Sequence, residues 1–218
     1  DGVSTLAHEL GHAFHNYCAY EAGKTEWQQN TPMTLAETAS IMCETMITEA
    51  VLATTTDTQE ELAVLEAQIS NAAAVIVDIY SRYLFEKEVL ERRESSELSS
   101  DDFNDIMERA QKATYEDGLD ERYLQKFMWT WKPHYYSPGF PFYNFPYAFG
   151  LLFGTGLYAI YQKRGDEFVA DYKDLLASTG EAPAAKLAKR FGIDITKRKF
   201  WEDSLSIIGN RIDRYCEL

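Results

Sequence analysis

Cysteine is nearly absent from this chain. The three present, Cys18, Cys43 and Cys216, are too few and too widely spaced for a disulfide framework or a C-x-x-C zinc site, and each reads as a small buried or partly buried thiol. Basic residues are also short: 21 Lys and Arg against 35 Asp and Glu leave a formal charge of −14 over 218 residues, which repels nucleic acid and anionic membrane surfaces as main partners. No run approaches 18 uninterrupted apolar residues and no basic-plus-apolar leader opens the chain. The expectation is therefore no membrane span, no signal peptide and a reducing cytoplasm. Alternating strand patterns and hairpin turns are missing, so the predicted fold is all-α, mainly helical, with little or no β structure. Histidine is scarce too, with four in all, and three of the four fall in one short stretch.

That stretch is Val3 to His15, and it contains H-E-x-x-H as His8, Glu9 and His12. On a helix, residues four apart are separated by about 400° of rotation and roughly 6 Å of rise, so both imidazoles leave one face and can grip one ion. Glu9 is displaced by about 100° and can lean over the ion's open side, which completes the parts of a zinc peptidase site. Val3, Leu6, Leu10, Ala13 and Phe14 supply apolar positions at helical spacing, and Ser4 or Thr5 can cap the start. The simpler alternative is a core helix whose histidines hydrogen-bond to neighbours.

Residues 21–30 read as a polar loop. Thr31 and Pro32 then open a second helix, apolar at Met33, Ala36, Ala39, Ile41, Met42, Ile47 and Leu52. Glu37 lies in that apolar setting and needs a partner; a zinc ion held by His8 and His12 would supply one, giving two imidazoles, one carboxylate and a fourth position for water. Glu44, two turns on and on the same face, is a candidate to orient a ligand imidazole, its other reading being a solvated glutamate. Glu49 lies off that face and reads as solvated. Residues 59–94 form one long helix with a core-packing stripe (Leu62, Leu65, Ile69, Ala73, Ile76, Ile79, Tyr80, Tyr83, Leu84) and a solvated charged end from Glu86 onward.

After a turn and a cap, a helix over 103–115 is closed by Gly118. Residues 129–147 then hold the remaining histidine, His134, among tyrosines and four prolines. Pro and Gly at 133, 138, 139 and 141 exclude a continuous helix, and an aromatic loop of this length points to substrate contacts, although any single tyrosine reads as packing. A helix over 145–162 carries Gly150, Gly154 and Gly156 facing a close neighbour, and three further helices follow over 166–177, 182–191 and 199–217.

These residues together resemble the oligoendopeptidase F branch of the thimet-oligopeptidase-like metallopeptidases across essentially the whole chain. The match is carried by His8 to His15, by Leu35 to Ser40 with Glu37 placed 29 positions after His8, and by Glu44. It continues through His134 to Tyr147, Asp171 to Leu176 and Gly192 to Asp194. The resemblance implies zinc ligands His8, His12 and Glu37, with Glu9 as base. It also implies that His134, Tyr143 and Tyr147 hold substrate and stabilise the oxyanion. A third tyrosine found in the thimet branch falls at Gly150 here, so that role is not carried over.

Members have several hundred residues before the motif, so residues 1–218 look like the C-terminal portion of a metallopeptidase catalytic domain lacking its N-terminal part. The expected activity is zinc-dependent hydrolysis of short peptides, with the oxyanion held by a donor from Tyr147, Tyr143 or His134. The rival expectation is a non-catalytic fragment or peptide-binding module. His15 reads as packed.

Overall fold

The computed structural model describes residues 2–218, which are helical with no strand among them. Nine α-helices follow in order: α1 (Gly2–Glu21), α2 (Thr38–Thr54), α3 (Thr58–Ala73), α4 (Ile79–Arg93), α5 (Ser100–Tyr115), α6 (Phe145–Arg164), α7 (Glu167–Ala177), α8 (Ala184–Arg190) and α9 (Arg198–Glu217). Two compact units are distinguishable: residues up to Ser70 together with Phe149–Leu218, and Asn71–Ala148. The all-α expectation holds.

In the first unit the core gathers Leu35, Met42, Phe153, Leu157, Phe168 and Leu176 from three helices and the turn before α2. The face of α1 turned toward this core is not the apolar stripe expected from periodicity. Val3, Leu6 and Leu10 are 66, 59 and 57% exposed, while Ala7, Gly11, His15, Cys18 and Ala19 are buried. Small side chains win that face because α2 lies against it: a Cβ on Gly11 would sit 2.5 Å from the Ser40 Cα and 2.6 Å from the Ala39 carbonyl oxygen. Backbones that close admit no leucine. Phe14 does pack against the core.

The second helix also starts later than Pro32 suggested. A single 3-10 turn, Met33–Leu35, comes first, and Glu37 stands at the N-cap of α2 with φ −88° and ψ 6°. Glu49 is not solvated: Arg211 of α9 donates to its Oε1 from Nε (3.0 Å) and Nη2 (2.8 Å), and to Gln68 Oε1 at 3.4 Å. This ties α9 to α2 and α3. Cys216, expected to be at least partly buried, is exposed, Cys43 is intermediate and Cys18 is buried.

The second unit packs Phe85, Val89, Ile106, Met107, Ala110 and Met128. The long helix is continuous from Thr58 to Arg93 but carries a π segment, Ala74–Asp78, where i→i+5 pairing inserts one residue into the turn. Much of its expected stripe is not core: Leu65 is buried, whereas Ala73, Tyr80 and Tyr83 are exposed. By length and composition this helix is long and apolar enough to cross a membrane, although it holds no run of 18 uninterrupted apolar residues.

Its charged end is not wholly solvated either. Glu86 is partly buried and accepts the Phe142 N–H at 2.7 Å. α5 opens with a reciprocal capping box between Ser99 and Asp102 and ends at Glu116, whose φ is +49°, two residues before the expected Gly118. The 129–147 stretch is irregular as expected, with short 3-10 turns at Met128–Thr130 and Pro133–Tyr136 before α6 begins.

Candidate metal centre and aromatic loop

Close approach of α1 and α2 at Gly11 and Ser40 brings the two motif histidines to the start of α2. His8 and His12 lie edge to face with ring centroids 4.9 Å apart. Glu37 Oε2 is 3.4 Å from His8 Nε2 and 3.5 Å from His12 Nε2. A tetrahedral ion bound to nitrogen and oxygen at about 2.0–2.1 Å sets its ligand atoms about 3.3–3.4 Å apart, so these separations are those of ligands around one cation. All three donor atoms lie within 4.8 Å of one another, and among the described residues no other His, Cys, Asp or Glu group gathers in this way. The donor set, two imidazoles and one carboxylate with part-exposed side chains, suits zinc with an accessible fourth position.

Neighbouring groups fix how these donors point. Glu44 Oε2 is 3.4 Å from His8 Nδ1, and its Oε1 accepts from Ser4 Oγ at 2.9 Å. A carboxylate only accepts, so His8 carries its proton on Nδ1 and turns the Nε2 lone pair toward Glu37. Ser4, read from sequence as a cap, thus lies within α1 and reaches across to α2. Ser40, which sequence reasoning missed, donates to Glu37 Oε2 at 2.8 Å and lies 3.1 Å from the Glu37 carbonyl oxygen. From α6, Gly150 meets Glu37 directly: a Cβ there would sit 2.6 Å from the Glu37 Cβ. That contact explains why no larger side chain stands at 150. Gly154 and Gly156 likewise face Ile41 and the Phe200–Ser204 pair.

Glu9 is exposed on α1, one position round from His8. His15, by contrast, is 3% exposed and its Nε2 is 2.9 Å from Thr179 Oγ1. Burial outweighs a stabilising backbone hydrogen bond at Leu176 and lowers its pKa to about 4, so it is a neutral packed residue joining α1 to the turn after α7.

The second unit gathers the other sequence-predicted residues. Rings of His134 and Tyr143 lie 5.8 Å apart, as do those of Tyr143 and Tyr147, whose hydroxyls are 3.0 Å from each other. Asn144 Nδ2 is 3.4 Å from His134 Nε2, and Asn144 Oδ1 accepts from Arg82 Nη1 at 3.3 Å. Arg82 also pairs with Asp78, which accepts from Tyr115 OH at 3.1 Å. Burial, and then the adjacent Asp78 carboxylate, push the Tyr115 hydroxyl up to about 12. Desolvation, then the Arg82 and Lys132 cations, hold His134 below its ordinary pKa. Phe142 has φ +55°, a conformation held by its N–H bond to Glu86 and its contact with Tyr83, and it sets the direction from which Tyr143 leaves the chain. Asp78, Arg82 and Asn144 escaped the sequence reading. The available signal was an acid and a base four residues apart inside an apolar helix run.

The chain is 24% identical over its full length to an oligoendopeptidase F homolog of Lactococcus lactis, covering 36% of that protein. It is 25% identical over 96% of its length to a homolog of the same name from Borreliella burgdorferi, covering 35% of it. The crystal structure of oligoendopeptidase-F from Enterococcus faecium shares the fold, with a TM-score of 0.83 at 24% identity over 100% of this chain and 39% of that one. The chain thus spans about a third of the length of the curated relatives it matches. The family model described as peptidase family M3 matches residues 1–207, so the chain belongs to peptidase family M3.

Proposed function

We propose that the chain carries the zinc site and base of an endopeptidase that cleaves short peptides. The observation that supports this best is the convergence of His8, His12 and Glu37 at separations suited to one tetrahedral ion. His8, His12 and Glu37 would hold a zinc ion, which would supply Lewis acidity toward the scissile carbonyl and the attacking water. Glu9 takes a proton from the attacking water and returns it to the departing amine. Glu44, held by Ser4, keeps His8 in its ligating tautomer. His134, Tyr143 and Tyr147 hold substrate and donate to the developing oxyanion, a role that rests on the family resemblance and on their clustering in one loop. Relatives named oligoendopeptidase F support short peptides as the substrate class, and a cytoplasmic location belongs to the same proposal.

Zinc analysis combined with cleavage of a quenched fluorescent peptide tests the reading. It predicts one zinc per chain and turnover that disappears in Glu9→Gln while zinc is retained. A folded protein that takes up no zinc from a stoichiometric supply would contradict it.

A further inference from the structure

We propose that Arg82, acting through Asn144, fixes His134 as a neutral imidazole protonated on Nδ1, which makes Arg82 and Asn144 positioning residues for that side chain. The deduction follows from which groups can donate. A guanidinium has only donors, so the Asn144 atom 3.3 Å from Arg82 Nη1 is the carbonyl Oδ1 and the amide cannot be turned over. Its other end, Nδ2, also only donates and lies 3.4 Å from His134 Nε2. Nε2 is therefore the acceptor, and the ring's one proton resides on Nδ1.

Arg82 is itself held. Its guanidinium pairs with Asp78, whose second oxygen is taken by Tyr115 OH at 3.1 Å. Asp78 ends the Ala74–Asp78 π segment, and Arg82 lies one turn further along. The groups around His134 agree with a neutral ring. Arg82 and Lys132 are cations that disfavour a second proton. Tyr135 and Tyr143 present ring contacts, at 4.2 and 5.8 Å between centroids. Asp78, the nearby carboxylate in this network, is already engaged by Arg82 and Tyr115. Consequently His134 meets its ligand as an Nδ1–H donor, not as an imidazolium.

This deepens the reading of His134 as a substrate contact and rests on it only for the catalytic consequence. The test is ¹⁵N NMR of the histidine rings across pH in wild type, Asn144→Asp and Arg82→Gln. Wild type should show Nδ1 protonated, Nε2 bare and titration below 6.5. In Asn144→Asp the new carboxylate accepts from the ring and favours its cation, so the His134 midpoint should rise by at least one pH unit; in Arg82→Gln the amide is free to turn and the two neutral tautomers should mix. A wild-type ring protonated on Nε2, or an Asn144→Asp midpoint within 0.3 units of wild type, would overturn the proposal. Thermal midpoints confirm that each variant is folded. Peptide turnover in His134→Gln separates the two claims: unchanged turnover there removes the substrate role and leaves the tautomer assignment to stand or fall on the NMR.

Discussion

Replacing Gly150 with alanine tests how tightly the proposed metal ligands are held. The added methyl would lie 2.6 Å from Glu37 Cβ and 3.3 Å from its Cγ. Carbon atoms in contact sit about 3.5–4.0 Å apart, so one side must give way by about 1 Å. Two opposed effects act on stability: glycine to alanine within a helix is worth about 0.5–1 kcal/mol, and overpacking costs about 1–3 kcal/mol. The net change in folding stability is therefore small, from about zero to 2.5 kcal/mol of loss. The effect on the ion is larger. Glu37 Oε2 stands 3.4 and 3.5 Å from the two imidazole nitrogens, and ligand distances tolerate about ±0.2 Å, so a shift of about 1 Å removes one of three ligands.

Changes outside the ligand set already cost 10–100-fold in affinity, so loss of Glu37's placement should weaken zinc binding by at least about a hundredfold, or about 2.7 kcal/mol. Competition against a chromophoric chelator measures this. Gly209→Ala is the control, since a Cβ there meets nothing within 4 Å, and it should leave affinity unchanged. A folded Gly150→Ala protein binding zinc within twofold of wild type would refute the packing argument.

Three further outcomes follow from the same geometry. Glu44→Gln and Ser4→Ala should each weaken zinc binding, by about 10–100-fold for the former and less for the latter, because Glu44 contacts His8 and Ser4 acts only through Glu44; equal losses would count against that order. His15 has a folded-state pKa depressed to about 4 from 6.5, so below 6.5 the unfolded chain binds a proton that the folded chain refuses. Stability should fall as pH drops from 6.5 toward 4, by up to about 3 kcal/mol, and His15→Gln should remove that part of the slope in urea titrations of the metal-free protein. Arg211→Met should destabilise the fold by about 3 kcal/mol, since it leaves the part-buried Glu49 carboxylate without its cation, and restoring neutrality with Glu49→Gln in the same chain should recover most of the loss.

Local chemistry was legible in the sequence and tertiary contact was not. H-E-x-x-H could be read because its geometry is set within one turn of helix, and Glu37 because an acid in an apolar run needs a partner. The exposed Val3, Leu6 and Leu10 show the limit of periodicity. It finds an apolar stripe but does not say which face a neighbour covers, and here Gly11 and Ala7 admitted α2 on the other side. The π segment left no compositional mark. Asn144 acquires its place only through Arg82, 62 residues earlier, a pairing that no local pattern encodes. Gly150 was visible as a close-packing glycine, while its target, Glu37, required the fold.

X-ray absorption at the zinc edge of the zinc-loaded chain tests the central claim most directly. The account predicts four nitrogen or oxygen ligands, including two imidazoles, at about 2.0–2.2 Å, with one imidazole lost in His12→Ala. Sulfur scattering at about 2.3 Å, or a spectrum unchanged by His12→Ala, would contradict it.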